Sequence, residues 1–172
     1  DTFQRYPARA LVLNTATQDD LWTSVELASS QVPEIPVIGC CLPHPATRAV
    51  EAGAIGHLAK PITRTDLQHA LALVDAPIRR ILIADDDLDF SRLLTRMLLT
   101  FSNELSITNT HTGQATLREL GHADADLLLL EVLMRDMDGW AVLEAVTRAK
   151  ELALPPTFLI SAQDPVDFAQ QS

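Results

Sequence analysis

The sequence predicts an open, doubly wound α/β fold: a parallel sheet with helices packed on both faces. Two observations point there. Short, near-continuous aliphatic runs recur along the chain, at residues 10–13, 36–41, 81–84, 127–130 and 157–161, with a weaker run at 105–109 and a short one at 56–59. Strands that read apolar at every position are buried on both faces, as in a parallel sheet covered by helices. The stretches between these runs carry helical periodicity and capping signals, and strand–helix alternation is the signature of this fold class.

Taken in order, the run at 10–13 ends at Asn14 and leads into a helix over about 19–30, then into 36–41. Thr65, Asp66, Leu67 and Gln68 form a capping-box pattern for a helix through Leu73. Asp75-Ala76-Pro77 ends it, since the residue before proline disfavours helix. After the run at 81–84, Phe90, Leu93, Leu94, Met97, Leu98 and Phe101 recur at spacings of three and four, one apolar stripe on a helix capped by Asp87 or Asp89. A shorter helix at 114–120 stops at Gly121, and a third covers 140–149 with Val142, Leu143, Val146 and Ala149 on one side.

Composition bounds the function. Hydrophobic residues make up 47% and charged residues 21% of the 172, a globular profile. The net charge of −10 repels nucleic-acid phosphates and anionic membrane surfaces, so neither is an expected partner. No apolar run has the roughly 18 residues of a membrane span, and the first residues lack the apolar core of a signal peptide. Cys40 and Cys41 are adjacent and close no useful loop, which favours a reducing cytoplasm and small buried thiols over a disulfide. The five histidines show no metal-ligand spacing.

Two passages look alike. The first runs from 10–13 through Asn14 and a helix to 36–41; the second runs from 127–130 through Glu131 and a helix to 157–161. Asn14 precedes Glu131 by 117 residues and Cys41 precedes Ser161 by 120. A repeat of that period is domain-sized. It predicts two incomplete copies of one domain, residues 1–76 and 77–172, joined at Asp75–Pro77. The first lacks its opening elements and the second its last strand and helix.

Chemistry gathers at the strand ends. Asp85, Asp86 and Asp87 follow one aliphatic run, and Glu131 ends another. In a parallel sheet the C-terminal strand ends share one edge, where ligands bind. Carboxylates collected there repel each other, and Mg²⁺, which takes one or two carboxylates with waters and phosphate oxygens, relieves that repulsion. The plainer reading of Asp85 and Asp86 is a helix cap with a solvated acidic loop.

ILIADDD, LLLLEVLMRDMDGW and FLISA, in this order and spacing, resemble the receiver domain family of response regulators, across residues 79–172. The resemblance implies a flavodoxin-like sheet of five parallel strands in the order 2-1-3-4-5. It implies Asp85 and Asp86 as the metal-binding pair, Glu131 at the phosphoacceptor position and Leu133 as the residue offering a backbone carbonyl to Mg²⁺. Asp138-Gly139 matches the turn before the third helix, and Ser161 the switch hydroxyl. Residues 7–74 resemble the second half of another receiver, with Lys60-Pro61 matching the family's lysine–proline signature, Asn14 at the acceptor position and Cys41 at the switch position. An amide is no useful phosphoryl acceptor, so this copy reads as a pseudo-receiver.

The second copy departs from the family in two places. Glu131 stands where the family has aspartate, one methylene too long for in-line transfer; it is either inert or a partial imitation of the phosphorylated form. Arg135 stands where the family usually has proline, where it alters the loop or brings a cation near the site.

The implied function is regulatory, not enzymatic: a tandem receiver region of a phosphorelay protein, such as a hybrid sensor kinase. Mg²⁺ is the possible cofactor, with its binding weakened or absent. Its partners would be a histidine kinase or other receivers, with homodimerisation expected. A phosphorylation-independent docking scaffold is the alternative. The Asp85–Asp87 run also loosely resembles the nucleophile motif of haloacid-dehalogenase-like phosphatases, whose downstream signatures find no place here. Two readings of residues 56–74 stay open. Either the chain is cut inside both copies, or this segment supplies the strand and helix the second copy lacks, bringing Lys60 to Glu131.

Overall fold

The structure, a computed structural model, describes residues 9–15, 18–41, 45–122, 124–149 and 152–162. Contacts divide the chain into two units between Arg48 and Ala49. In the first unit, β1 (Leu11–Thr15) pairs in parallel with β2 (Val37–Cys41), connected through α1 (Gln18–Gln31). The α1 side chains Leu21 and Val25 lie so close over Gly39 that a Cβ there would sit about 3 Å from both.

The second unit is built on five parallel strands in the order β3-β7-β6-β4-β5. These are β3 (Gly56–Lys60), β4 (Arg80–Ala84), β5 (Ser106–Thr110), β6 (Leu127–Glu131) and β7 (Thr157–Ala162). Four of them follow one another in sequence and give the expected 2-1-3-4 arrangement. The fifth place, at the edge beside β7, is filled by β3, which precedes all the others. The order 2-1-3-4-5 is therefore complete, but with its last strand first in the chain. β3 pairs with β7 over its whole length, from Gly56 against Phe158 to Lys60 against Ala162.

Strand alternation sorts the core into two layers, since successive side chains point to opposite faces. Leu58, Ile81, Ile83, Leu127, Leu129, Phe158 and Ile160 face one side. There they meet Leu67 and Ala70 of α3 (Arg64–Ala72) and Leu94 and Leu98 of α4 (Leu88–Leu99). Leu82, Ala84, Leu128, Leu130 and Leu159 face the other. They pack on Ala49 of α2 (Pro45–Glu51), Leu120 of α5 (Gly113–Leu120), and Val142, Leu143 and Val146 of α6 (Gly139–Arg148). The LLLL run of β6 is central and fully buried, and each such leucine contributes about 1.5–3 kcal/mol of burial.

Helix starts follow their caps. Asp87 caps α4 by accepting from the Asp89 and Phe90 amides, and Asp138 caps α6 by accepting from Ala141. The capping box of α3 lies two residues earlier than its sequence pattern suggested. Thr63 and Asp66 form it, each side chain accepting from the other's backbone N–H. Gly121 ends α5 in ordinary right-handed geometry, not the left-handed form for which glycine is usually selected.

Candidate functional site

The C-terminal edge of the five-stranded sheet gathers three charged groups from three strands. Asp85 follows β4, Glu131 ends β6, and Lys60 ends β3. Burial on both sheet faces leaves Asp85 inaccessible and Glu131 only 5% exposed. Lys60 reaches both: its Nζ donates to Asp85 Oδ2 at 2.8 Å and lies 2.5 Å from Glu131 Oε2. Both contacts are ion pairs between the ammonium and a buried carboxylate.

Lys60 also lies over the Phe90 ring, 4.0 Å from its centroid. Burial works against its charge, but the hydrogen bond and charge of Asp85 together with Glu131 outweigh it, and its pKa is raised. The Lys60–Pro61 peptide is cis.

Backbone amides take up more of the carboxylate oxygens. Asp85 Oδ1 accepts from Asp87 N–H at 2.8 Å, and Glu131 Oε1 from Leu133 N–H at 3.0 Å. Asp86 turns outward, where Arg135 Nε donates to its Oδ2 at 2.9 Å and Arg135 Nη2 to its backbone oxygen at 3.3 Å. Phe90 and Asp89 amides hold the exposed Asp87 carboxyl below the usual range.

The loop after β6 is fixed at both ends. Gly139 N–H donates to Val132 O at 2.8 Å, and the approach is so close that a Cβ on Gly139 would lie 2.6 Å from Glu131 O. Asp136 bridges to the start of α5, accepting from Gly113 and Gln114 amides, which lower its pKa.

The sequence-predicted residues thus separate into groups. Lys60 meets Asp85 and Glu131 directly, while Asp86, next to Asp85 in the chain, pairs with Arg135. Leu133 gives its N–H to Glu131, and the residue is exposed. Ser161 lies on β7 opposite Ala59. Its hydroxyl contacts His57 Nε2 at 2.7 Å and donates to Ala162 O at 3.2 Å. His57 was not singled out in the sequence; a polar ring three residues before Lys60, in an otherwise apolar strand, was the available signal. His111, also missed as a site neighbour, places Nδ1 2.9 Å from Asp85 O. Asn14 belongs to the first unit, where the thiol of Cys40 donates to Leu13 O at 3.2 Å and lies 3.7 Å from Asn14 Oδ1. The side chain of Cys41, expected at the switch position, lies outside the described residues.

These pairings do not fit a divalent ion. Both oxygens of Asp85 and both of Glu131 already face N–H donors or an ammonium, and Asp86 Oδ2 faces a guanidinium. Among the described residues no three His, Cys, Asp or Glu side chains converge as a metal site. No described helix is long and apolar enough to cross a membrane.

What the arrangement retains is an acidic strand edge with a lysine reaching across it, on a parallel sheet of receiver order. The family model of the response regulator receiver domain matches residues 81–172, more than half of the chain. The sheet order, the acidic edge and this match agree, and the chain belongs to the response regulator receiver domain family.

Proposed function

We propose that this chain is the tandem receiver region of a larger phosphorelay protein, of the hybrid sensor kinase type, working with an altered phosphoacceptor site. Receiver domains are regulatory modules of two-component signalling. They interact with histidine kinases and other proteins, and typically bind Mg²⁺. The observation that carries the finer reading is Lys60 drawn between Asp85 and Glu131 at one sheet edge. Residues 1–76 are then the second half of a degenerate copy, with Asn14 and Cys41 at its acceptor and switch positions. Residues 77–172 are the second copy. On this reading β3 and α3 belong by sequence to the first copy and occupy the fifth-strand place beside β7.

In this site Glu131 is the acceptor-position residue, Lys60 its cationic partner, and Ser161 the switch hydroxyl. Asp85, Asp86 and the Leu133 carbonyl stand at the family's metal-binding positions. Glutamate at the acceptor position makes phosphoryl uptake poor, because the reacting oxygen is displaced by a methylene from its in-line position. Input comes from a histidine kinase in the cytoplasm, and output passes through protein contacts, including a second copy of the chain, not through nucleic acid.

The test is incubation with a small acyl phosphate and Mg²⁺, followed by intact mass. The wild type is expected to give no base-labile adduct, and Glu131→Asp to gain one. An adduct on the wild type would overturn the altered-acceptor reading. Failure of both proteins would favour a phosphorylation-independent scaffold, which the loss of aspartate at both Glu131 and Asn14 already supports.

A further inference from the structure

We infer that Arg135 is a built-in counter-cation that takes the place of a divalent metal ion at this sheet edge. The inference rests on the receiver reading of the acidic edge, and its test is chosen to stand apart from phosphoryl transfer.

Charge balance is the first argument. Asp85, Asp86 and Glu131 bring three carboxylates to one edge, and Lys60 and Arg135 bring two cations to them. Lys60 serves the inner pair. Asp86, the outer carboxylate, is left to Arg135, whose guanidinium holds both the side chain and the backbone oxygen of the same residue. Such a two-point grip suits the guanidinium fork, where a lysine would offer a point charge.

Loop geometry is the second. Arg135 is 84% exposed, and an exposed ion pair on a mobile loop would count for little. This loop is not free to choose its course. Leu133 N–H is tied to Glu131, Asp136 to the first amides of α5, and Gly139 to Val132 O. Arg135 lies between these anchors, directly before Asp136. Its backbone is fixed by contacts that do not involve Asp86, so the guanidinium has little backbone freedom left to lose on pairing.

The third argument is what a metal would have to displace. Mg²⁺ needs near-octahedral oxygen ligands at about 2.0–2.1 Å and gives up water reluctantly. Arg135 holds Asp86 Oδ2, so an ion on that carboxylate meets a guanidinium beside it, and to reach Asp85 or Glu131 it must compete with Lys60. Two fixed positive charges at the edge oppose a third species carrying two more. With two cations set against three carboxylates, the edge carries one net negative charge in place of three, so its pull on a divalent ion is weakened and its geometry does not depend on one.

The experiment is a titration of the full chain with Mn²⁺, free ion being followed by electron paramagnetic resonance, and with Mg²⁺ by calorimetry. Wild type, Arg135→Ala, Asp86→Asn and the Arg135→Ala/Asp86→Asn double variant are compared, each checked for an unchanged circular dichroism spectrum. Arg135→Ala is expected to bind at least about tenfold more tightly than wild type, one unit of charge having been lifted from the edge, a factor equal to about 1.4 kcal/mol. The double variant should lose that gain. Equal affinity in wild type and Arg135→Ala, or a gain that survives Asp86→Asn, overturns the inference. Because the readout is metal alone, a failure of the phosphodonor test leaves this result unaffected; a phosphodonor failure of Glu131→Asp that Glu131→Asp/Arg135→Ala repairs is owed to Arg135, and one that it does not repair counts against the receiver reading itself.

Discussion

Replacing Lys60 by methionine keeps most of the side-chain length and removes the charge together with its hydrogen bond to Asp85. At 2.8 Å from Asp85, with an effective dielectric near 20, the gross attraction is about 6 kcal/mol. Desolvation takes back much of this, and removing one partner of a buried pair generally costs about 3–5 kcal/mol. The Lys60 side chain keeps 24% of its surface in water, which screens the pair and puts the expected loss at the lower end, about 3 kcal/mol. Glu131→Gln should cost under about 1 kcal/mol, since it also removes repulsion between two carboxylates sharing one ammonium. The double variant should then be less destabilised than the sum of the singles, with a coupling of roughly 1–2 kcal/mol. Urea unfolding reports this, followed by Trp140 fluorescence in a Trp22→Phe background so that the signal comes from the second unit. A loss below about 1 kcal/mol for Lys60→Met, or strict additivity within about 0.3 kcal/mol, would refute the view that β3 delivers a structural cation to this edge.

Two further outcomes follow from the same geometry. Gly139→Ala should destabilise by about 1–3 kcal/mol, because the added Cβ would lie 2.6 Å from Glu131 O and 3.2 Å from Val132 Cα, both backbone atoms that cannot rotate away; helix propensity alone favours alanine by up to about 1 kcal/mol, so a stabilised variant in urea melts would show that the contact is not real. Asp66 accepts from the hydroxyl and the N–H of Thr63, which hold its carboxyl below the usual range, so its contribution is fully present above the unfolded carboxylate value and is lost as pH falls through the folded one; Asp66→Asn should therefore flatten the acid side of the stability–pH curve, while an unchanged slope would count against the capping box.

Local physics made much of this fold legible. The LLLL and ILIA runs read as strands because only a two-sided burial tolerates leucine and isoleucine at successive positions, and both sit at the centre of the sheet. Strand β5 reads weakly because SITNT lies at an edge, with polar side chains facing water. Helix α2 was not read as a helix, since seven residues opening on proline carry little periodicity. The capping box was misplaced by two residues because Thr63 and Thr65 both precede an acidic or amide residue by a workable spacing, and only the backbone angle at Thr63 decides between them. Asp85 and Glu131 were legible as a pair from strand ends alone. The partners of Asp86 and Ser161 were not, because Arg135 and His57 meet them only through loop course and strand register.

The position of β3 shows where sequence reasoning meets its limit and how the limit is physical. A parallel edge strand has no covalent signal for its neighbour, as any connection long enough to cross the sheet will serve. What selects the place is the match of Leu58 to the layer containing Ile160 and Phe158, and the ammonium at the strand's end. Asp85 and Glu131 on adjacent strands form an edge that repels itself until a cation arrives. A strand ending in lysine answers that repulsion from the one side of β7 still open, and it does so from whichever end of the sequence it comes. The charge on the edge therefore acts in assembly: the carboxylates of Asp85 and Glu131 favour the strand that ends in Lys60.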